Sequence, residues 1–84
     1  MNITFKLDIL KPHSPDNELF GRTLMKIKGV TYVQIKTDEI DRKTTSIFLN
    51  IKGTEDLTLD SIKDVLDRMG CALHSVDEVV IEVS

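Results

Sequence analysis

Residues 31–52 read TYVQIKTDEIDRKTTSIFLNIK, two runs of alternating apolar and polar side chains set back to back around a polar turn. In the first run, 31–40, Val33 and Ile35 share one face. In the second, 45–52, Ile47, Leu49 and Ile51 do the same. A period of two marks a strand with one face in a core. The intervening Asp41-Arg42-Lys43-Thr44 is polar throughout, so the two runs predict a hairpin.

Outward from this hairpin the period changes to about 3.6 on both sides and then returns to two. On the N-terminal side Phe20, Leu24 and Ile27 form a helical stripe that Gly29 closes. Ser14 is expected to cap this helix, with Pro15 as its first residue. Asp16 and Glu18 suit the dipole at that end, and Lys26 and Lys28 suit the last turn. Before the helix, Ile3, Phe5, Leu7 and Ile9 alternate with Asn2, Thr4, Lys6 and Asp8 as a strand. Lys11-Pro12-His13-Ser14-Pro15 ends it, because proline cannot donate to a ladder. On the C-terminal side Thr58 predicts an N-cap, and Leu59, Ile62, Val65, Leu66 and Met69 form the second stripe. Gly70 closes that helix, and residues 71–83 return as strand. Their alternation loses phase at Asp77-Glu78, which predicts a bulge.

Strand–helix–strand, repeated and joined through a hairpin, is the ferredoxin-like βαββαβ arrangement. It is an α+β sandwich, a four-stranded antiparallel sheet with two helices on one face. Right-handed crossovers make the first and third strands central. The other face carries Thr4, Lys6, Asp8, Tyr32, Gln34, Ser46, Phe48 and Asn50, and no element remains to cover it.

The 84 residues, 1–84, are read as a single domain. A chain of this length buries about 60–65% of its unfolded surface, so assembly with copies of itself offers a remedy for marginal stability. The net charge of −3 argues against nucleic acid as a partner. The one cysteine, Cys71, excludes an internal disulfide and suits a reducing cytoplasm. No apolar run approaches the roughly 20 residues of a membrane span. The N-terminal strand alternates and carries Lys6 and Asp8, unlike a signal peptide. A soluble cytoplasmic protein without membrane attachment is expected.

Three strings carry a family likeness: Leu7-Asp8-Ile9-Leu10-Lys11-Pro12-His13, Glu39-Ile40-Asp41, and Leu73-His74-Ser75-Val76-Asp77-Glu78-Val79. Together they resemble the small archaeal family known as domain of unknown function 211, over nearly the whole chain. The resemblance implies a ferredoxin-like fold and a homo-oligomer, with a ring as one form. It implies a divalent ion such as calcium for some members, and no assigned activity. A shorter likeness, Ser75-Val76-Asp77 after a helix, resembles the exchange domain of elongation factor 1 beta. That likeness implies a factor acting on a translation GTPase.

Topology converges chemistry-bearing residues. The end of the first strand lies beside the end of the second and the starts of the third and fourth. Asp8, Lys11, His13, Asp38, Glu39, Asp41, Cys71 and His74 all map there. If Leu10 faces Ala72, then Asp8 faces His74 on the open face, with Cβ atoms about 5 Å apart. Asp8, His13, Glu39, Asp41 and His74 are therefore the candidate ligands of a divalent metal or small ligand. Imidazole with carboxylate suits a transition ion, and oxygens alone suit calcium.

The structural alternatives are an Asp8–His74 ion pair, an acidic turn at 38–41, and an exposed His13 between two prolines. Cys71 reads as a small core residue. Tyr32 and Phe48 on the open face are expected at an oligomer interface, since the third strand lacks the basic aromatic signature of RNA-binding sheets. No catalytic role is expected. The loop before the first helix lacks the glycine-rich amide nest that phosphate chemistry uses, and Ser14 is better used as a cap.

Overall fold

The computed structural model describes residues 1–83 and gives the expected element order. It runs β1 (Asn2–Pro12), α1 (Asn17–Leu24), β2 (Val30–Ile40), β3 (Thr44–Thr54), α2 (Leu59–Arg68) and β4 (Ala72–Glu82). The sheet order is β2-β3-β1-β4, all antiparallel, so β1 and β3 are central. From the central strands Phe5, Leu7, Ile9, Ile47, Leu49 and Ile51 point into one core, which Phe20, Leu24, Ile62 and Leu66 of the helices complete. Among the described residues, no helix is long and apolar enough to cross a membrane.

The second helix starts where the sequence says. Thr58 Oγ1 accepts from the Ser61 amide at 3.1 Å, and Ser61 Oγ accepts from the Thr58 amide at 3.4 Å, a reciprocal capping box. The first helix does not. Its cap is Asp16, whose Oδ1 accepts from the Leu19 amide at 2.9 Å, and Ser14 lies outside the helix. The reason is Lys11. Its ammonium donates to the carbonyls of Pro12 and Pro15 at 2.7 and 2.6 Å, and to that of His13 at 3.4 Å. These bonds turn the Pro12, His13 and Pro15 carbonyls toward Lys11, and the helix begins only after them. The α1 stripe also ends sooner than expected, because after Leu24 the bonds tighten to the i→i+3 pattern through Ile27. Ile27 still reaches the core, while Lys26 and Lys28 lie past the helix and Arg22 holds the basic last-turn position.

Each strand has 11 residues, about 36 Å of extended chain. The helices have 8 and 10 residues, about 12 and 15 Å. The sheet, not the helices, sets the 42 Å length of the molecule, and part of its helix-side face is left bare.

The outer strands slip past the central ones at bulges. Against β1, β4 pairs Leu10↔Ala72 and Ile9↔Leu73, then Asp8↔Ser75 and Leu7↔Val76, then Lys6↔Glu78. His74 and Asp77 are the surplus residues. The bulge at Asp77 is the expected one. The bulge at His74 corrects the expected Asp8–His74 pairing, since Asp8 lies opposite Ser75. On the other side β2 shifts between Thr37 and Glu39, making Asp38 surplus in the same way.

Candidate functional site at one end of the sheet

The bulges decide what the end of the sheet presents. A surplus residue in a ladder is re-aimed relative to its neighbours, which is why bulges recur beside binding sites. Here Asp38 on β2 and His74 on β4 both lean over the open face and line one depression with Asp8, Leu10 and Ser46. Its volume is about 260 Å³. Two edge strands thus contribute polar side chains to one hollow above the central strands.

Of the five expected ligands, Asp8 and His74 share this hollow, and Asp38 joins them. Asp38 maps to this end in sequence, but only its bulge gives it a role. The other three lie elsewhere. His13 is held by both ring nitrogens. Nε2 donates to the Arg42 carbonyl at 2.9 Å, and Nδ1 lies 2.9 Å from Thr45 Oγ1. With Nε2 protonated, Nδ1 accepts the Thr45 hydroxyl, so the ring pins the 12–16 loop to the β2–β3 turn. Asp41 closes that turn, its amide donating to the Thr44 carbonyl at 2.9 Å. Glu39 stands opposite Ser46 on the exposed end of β2.

Among the described residues no three His, Cys, Asp or Glu side chains cluster as a metal site. The spacing explains this. Asp38 and His74 sit on opposite edge strands, three strand spacings or ~14 Å of backbone apart.

The remaining groups at this end are structural. Lys11 points to the helix side and is 2% exposed, with all three of its donors used. Cys71 is buried beside it. Burial pushes the thiol pKa up, and the Lys11 charge offsets part of that rise. A raised pKa means that the folded state favours the neutral thiol. This contribution is complete below the unfolded thiol's value near 9.0 and is lost as pH rises through the higher folded value. The urea midpoint of the native chain is therefore expected to fall between pH 8 and pH 10 by more than that of Cys71→Ala. Equal falls would disprove the assignment.

The open face is neither bare nor uniformly polar. Tyr32 lies under the Lys52 ammonium, 5.0 Å from ring centroid to nitrogen. Phe48 forms part of a larger cleft with Gln34, Lys36, Asn50 and Lys6, of about 470 Å³.

Order of elements, sheet order and one-sided helices define a small ferredoxin-like α+β domain. Within that class the family model of domain of unknown function 211 (DUF211), described as uncharacterized ArCR, matches residues 4–83. The chain belongs to this family, the one its three strings resemble. A protein of Methanocaldococcus jannaschii, itself described as uncharacterized, is 36% identical over 74 residues. The match spans 88% of this chain and 75% of that protein.

Proposed function

We infer that this chain is a self-associating module without a catalytic role, joined to its copies through strand edges. One observation carries the reading: β4 is a long edge strand whose helix-side stripe is apolar and uncovered. Val76, Val79 and Ile81 stand opposite Leu7, Phe5 and Ile3 of the core layer, yet they are 41, 47 and 62% exposed. The short α2 covers the start of β4 and stops. Each such side chain is worth about 1.5–3 kcal/mol when fully buried.

Edge strands of soluble proteins are commonly guarded by lysine or proline. From 71 to the C-terminus there is neither, and the charges are Asp77, Glu78 and Glu82. Pairing β4 with β4 of a second copy would set these acids against each other, which is unfavourable. The β2 edge carries Lys36 beside Asp38 and Glu39, so pairing β4 with it sets a cation among the acids where a β4–β4 contact sets acids alone. Such a head-to-tail contact closes into a ring when its rotation divides the circle. This shifts the expected interface away from Tyr32 and Phe48, whose neighbours Lys52, Lys6 and Lys36 break up the apolar surface. Light scattering is expected to give a multi-subunit mass for the native chain and a monomer for Val79→Lys. A native monomer at micromolar concentration would overturn the reading.

The hollow that Asp8 lines with the bulged Asp38 and His74 favours a second role, a small ligand or an ion taken up there without a preformed cluster of three ligands. Calorimetry with calcium, manganese and zinc is expected to give heat that Asp8→Asn and His74→Ala both reduce. A hundredfold excess of ion over Kd would raise stability by about 2.7 kcal/mol. No heat and no change in melting temperature removes this role without touching the first. Action on a translation GTPase gains no support from the geometry, and the net charge does not favour nucleic acid.

A further inference from the structure

A second hollow lies on the open face toward mid-sheet and reaches β4 at Asp77 and Glu78, with none of its lining shared with the hollow at the His74 end. Register orders the open face around it into two rows, in which Asp8 and Ser75 lie beyond the lining. One row runs Gln34–Asn50–Lys6–Glu78 across β2, β3, β1 and β4, and the next runs Lys36–Phe48–Asp8–Ser75. The rows are about 7 Å apart along the strands, and neighbours within a row have Cβ atoms about 5 Å apart.

Three features of these rows are left open within a single copy of the chain. Phe48 is 40% exposed and offers a ring to the cleft. Lys36, directly across from it, makes no ion pair among the described residues, whereas Lys6 is held by Glu78 at 2.8 Å. Asn50 donates to Gln34 Oε1 at 3.4 Å, and its Oδ1 is buried with no partner. A buried acceptor without a donor costs about 1–3 kcal/mol. Turning the Asn50 amide over merely exchanges an orphan acceptor for an orphan donor. Lys6 stands directly across from Asn50 on β1, and its exposed pair with Glu78 opposes a shift of the lysine by under about 1 kcal/mol.

An exposed ring, a cation without an ion pair on the β2 side and an unfilled amide fit one ligand chemistry, while the acids on the β4 side, Asp77 and Glu78, are engaged by Ser75 and Lys6. The ligand's ring stacks on Phe48, an anionic group meets Lys36, and an edge with donor and acceptor side by side completes Asn50 in either orientation. The cleft volume of about 470 Å³ is within the usual range for small-ligand sites. We propose that this cleft binds a nitrogen heteroaromatic anion, the chemistry of a purine mononucleotide.

Adenosine monophosphate, adenosine and inorganic phosphate are the probes, titrated into the full chain and followed by amide NMR shifts. Adenosine monophosphate is expected to move the resonances of Gln34, Lys36, Phe48 and Asn50, and to bind more tightly than adenosine or phosphate. Lys36→Gln is expected to weaken the monophosphate about tenfold, the equivalent of ~1.4 kcal/mol, and to leave adenosine unchanged. Phe48→Leu keeps an apolar side chain of similar bulk and is expected to weaken both adenosine and its monophosphate. His74→Ala is expected to change neither. Absence of shifts at millimolar monophosphate, shifts centred on His74 instead, or equal binding of phosphate and the monophosphate would each overturn the proposal.

Discussion

Lys11→Met is expected to lower stability by about 2–4 kcal/mol, a large share of the roughly 4–13 kcal/mol typical of a domain this size. Methionine keeps most of the buried stem, so the change isolates the ammonium. In the native chain the carbonyls of Pro12, His13 and Pro15 converge on that ammonium. No carboxylate pairs with it among the described residues, so the carbonyl dipoles supply the whole compensation for burying the charge. Removing the charge relieves its desolvation, which limits the loss, but it leaves the carbonyls without a donor. The loss is expected to be local as well as global. The 12–15 segment would loosen, and with it the His13 contacts to Thr45 and Arg42. Urea melts measure the first effect and hydrogen exchange at the Leu19 amide the second. A further readout is the Cys71 thiol, whose pKa should rise once the Lys11 charge that lowers it is gone. A variant as stable as the native chain, with an unchanged thiol, would show that Lys11 is a bystander.

Gly53→Ala is expected to cost about 2–3 kcal/mol through overpacking. A Cβ at position 53 would lie 2.4 Å from the Gly29 carbonyl oxygen and 2.9 Å from both Cβ and Cδ2 of Leu57. The Gly29 oxygen cannot retreat freely, because it accepts the Thr54 amide at 2.9 Å. That bond ties the end of β3 to the entry of β2, and Leu57 is buried against the same point. The conflict is therefore with backbone rather than with a movable side-chain tip. Gly21→Ala is the matched control. Its Cβ meets Ile35 Cδ1 at 3.0 Å, a flexible methyl, and alanine favours the helix by about 1 kcal/mol. Thermal melts of the two variants should separate them by more than about 10 °C. A harmless Gly53→Ala would mean that the β3 end and the Gly29 loop are not tightly joined.

The readings that succeeded from sequence are those with short-range causes. Thr58 caps α2 because the partner it needs, Ser61, is three residues away. The bulge at Asp77 showed as a lost phase. The bulge at His74 left no such trace, because Ala72, Leu73 and Ser75 do not alternate strongly enough to reveal one. The cap of α1 departs from its sequence signal for another reason. Ser14 has the right chemistry, but Lys11 is folded under the sheet and claims the neighbouring carbonyls. His13 reads as a free ligand until Thr45, 32 residues on, meets its ring.

The sequence by itself determined which side chains share a face, because alternation along a strand and the helical stripe are properties of the local backbone. That was enough for the element order, the central strands and the open face. It also brought Asp8 and His74 to one end of the sheet. Tertiary structure alone decided register and length. Bulges in the edge strands turned Asp38 and His74 over one hollow with Asp8 and kept His74 from facing Asp8 directly, and the length of β4 carried its apolar stripe beyond the reach of α2. These are outcomes of strand pairing and of the mismatch between a sheet about 36 Å long and helices under half that length, and no local period encodes them.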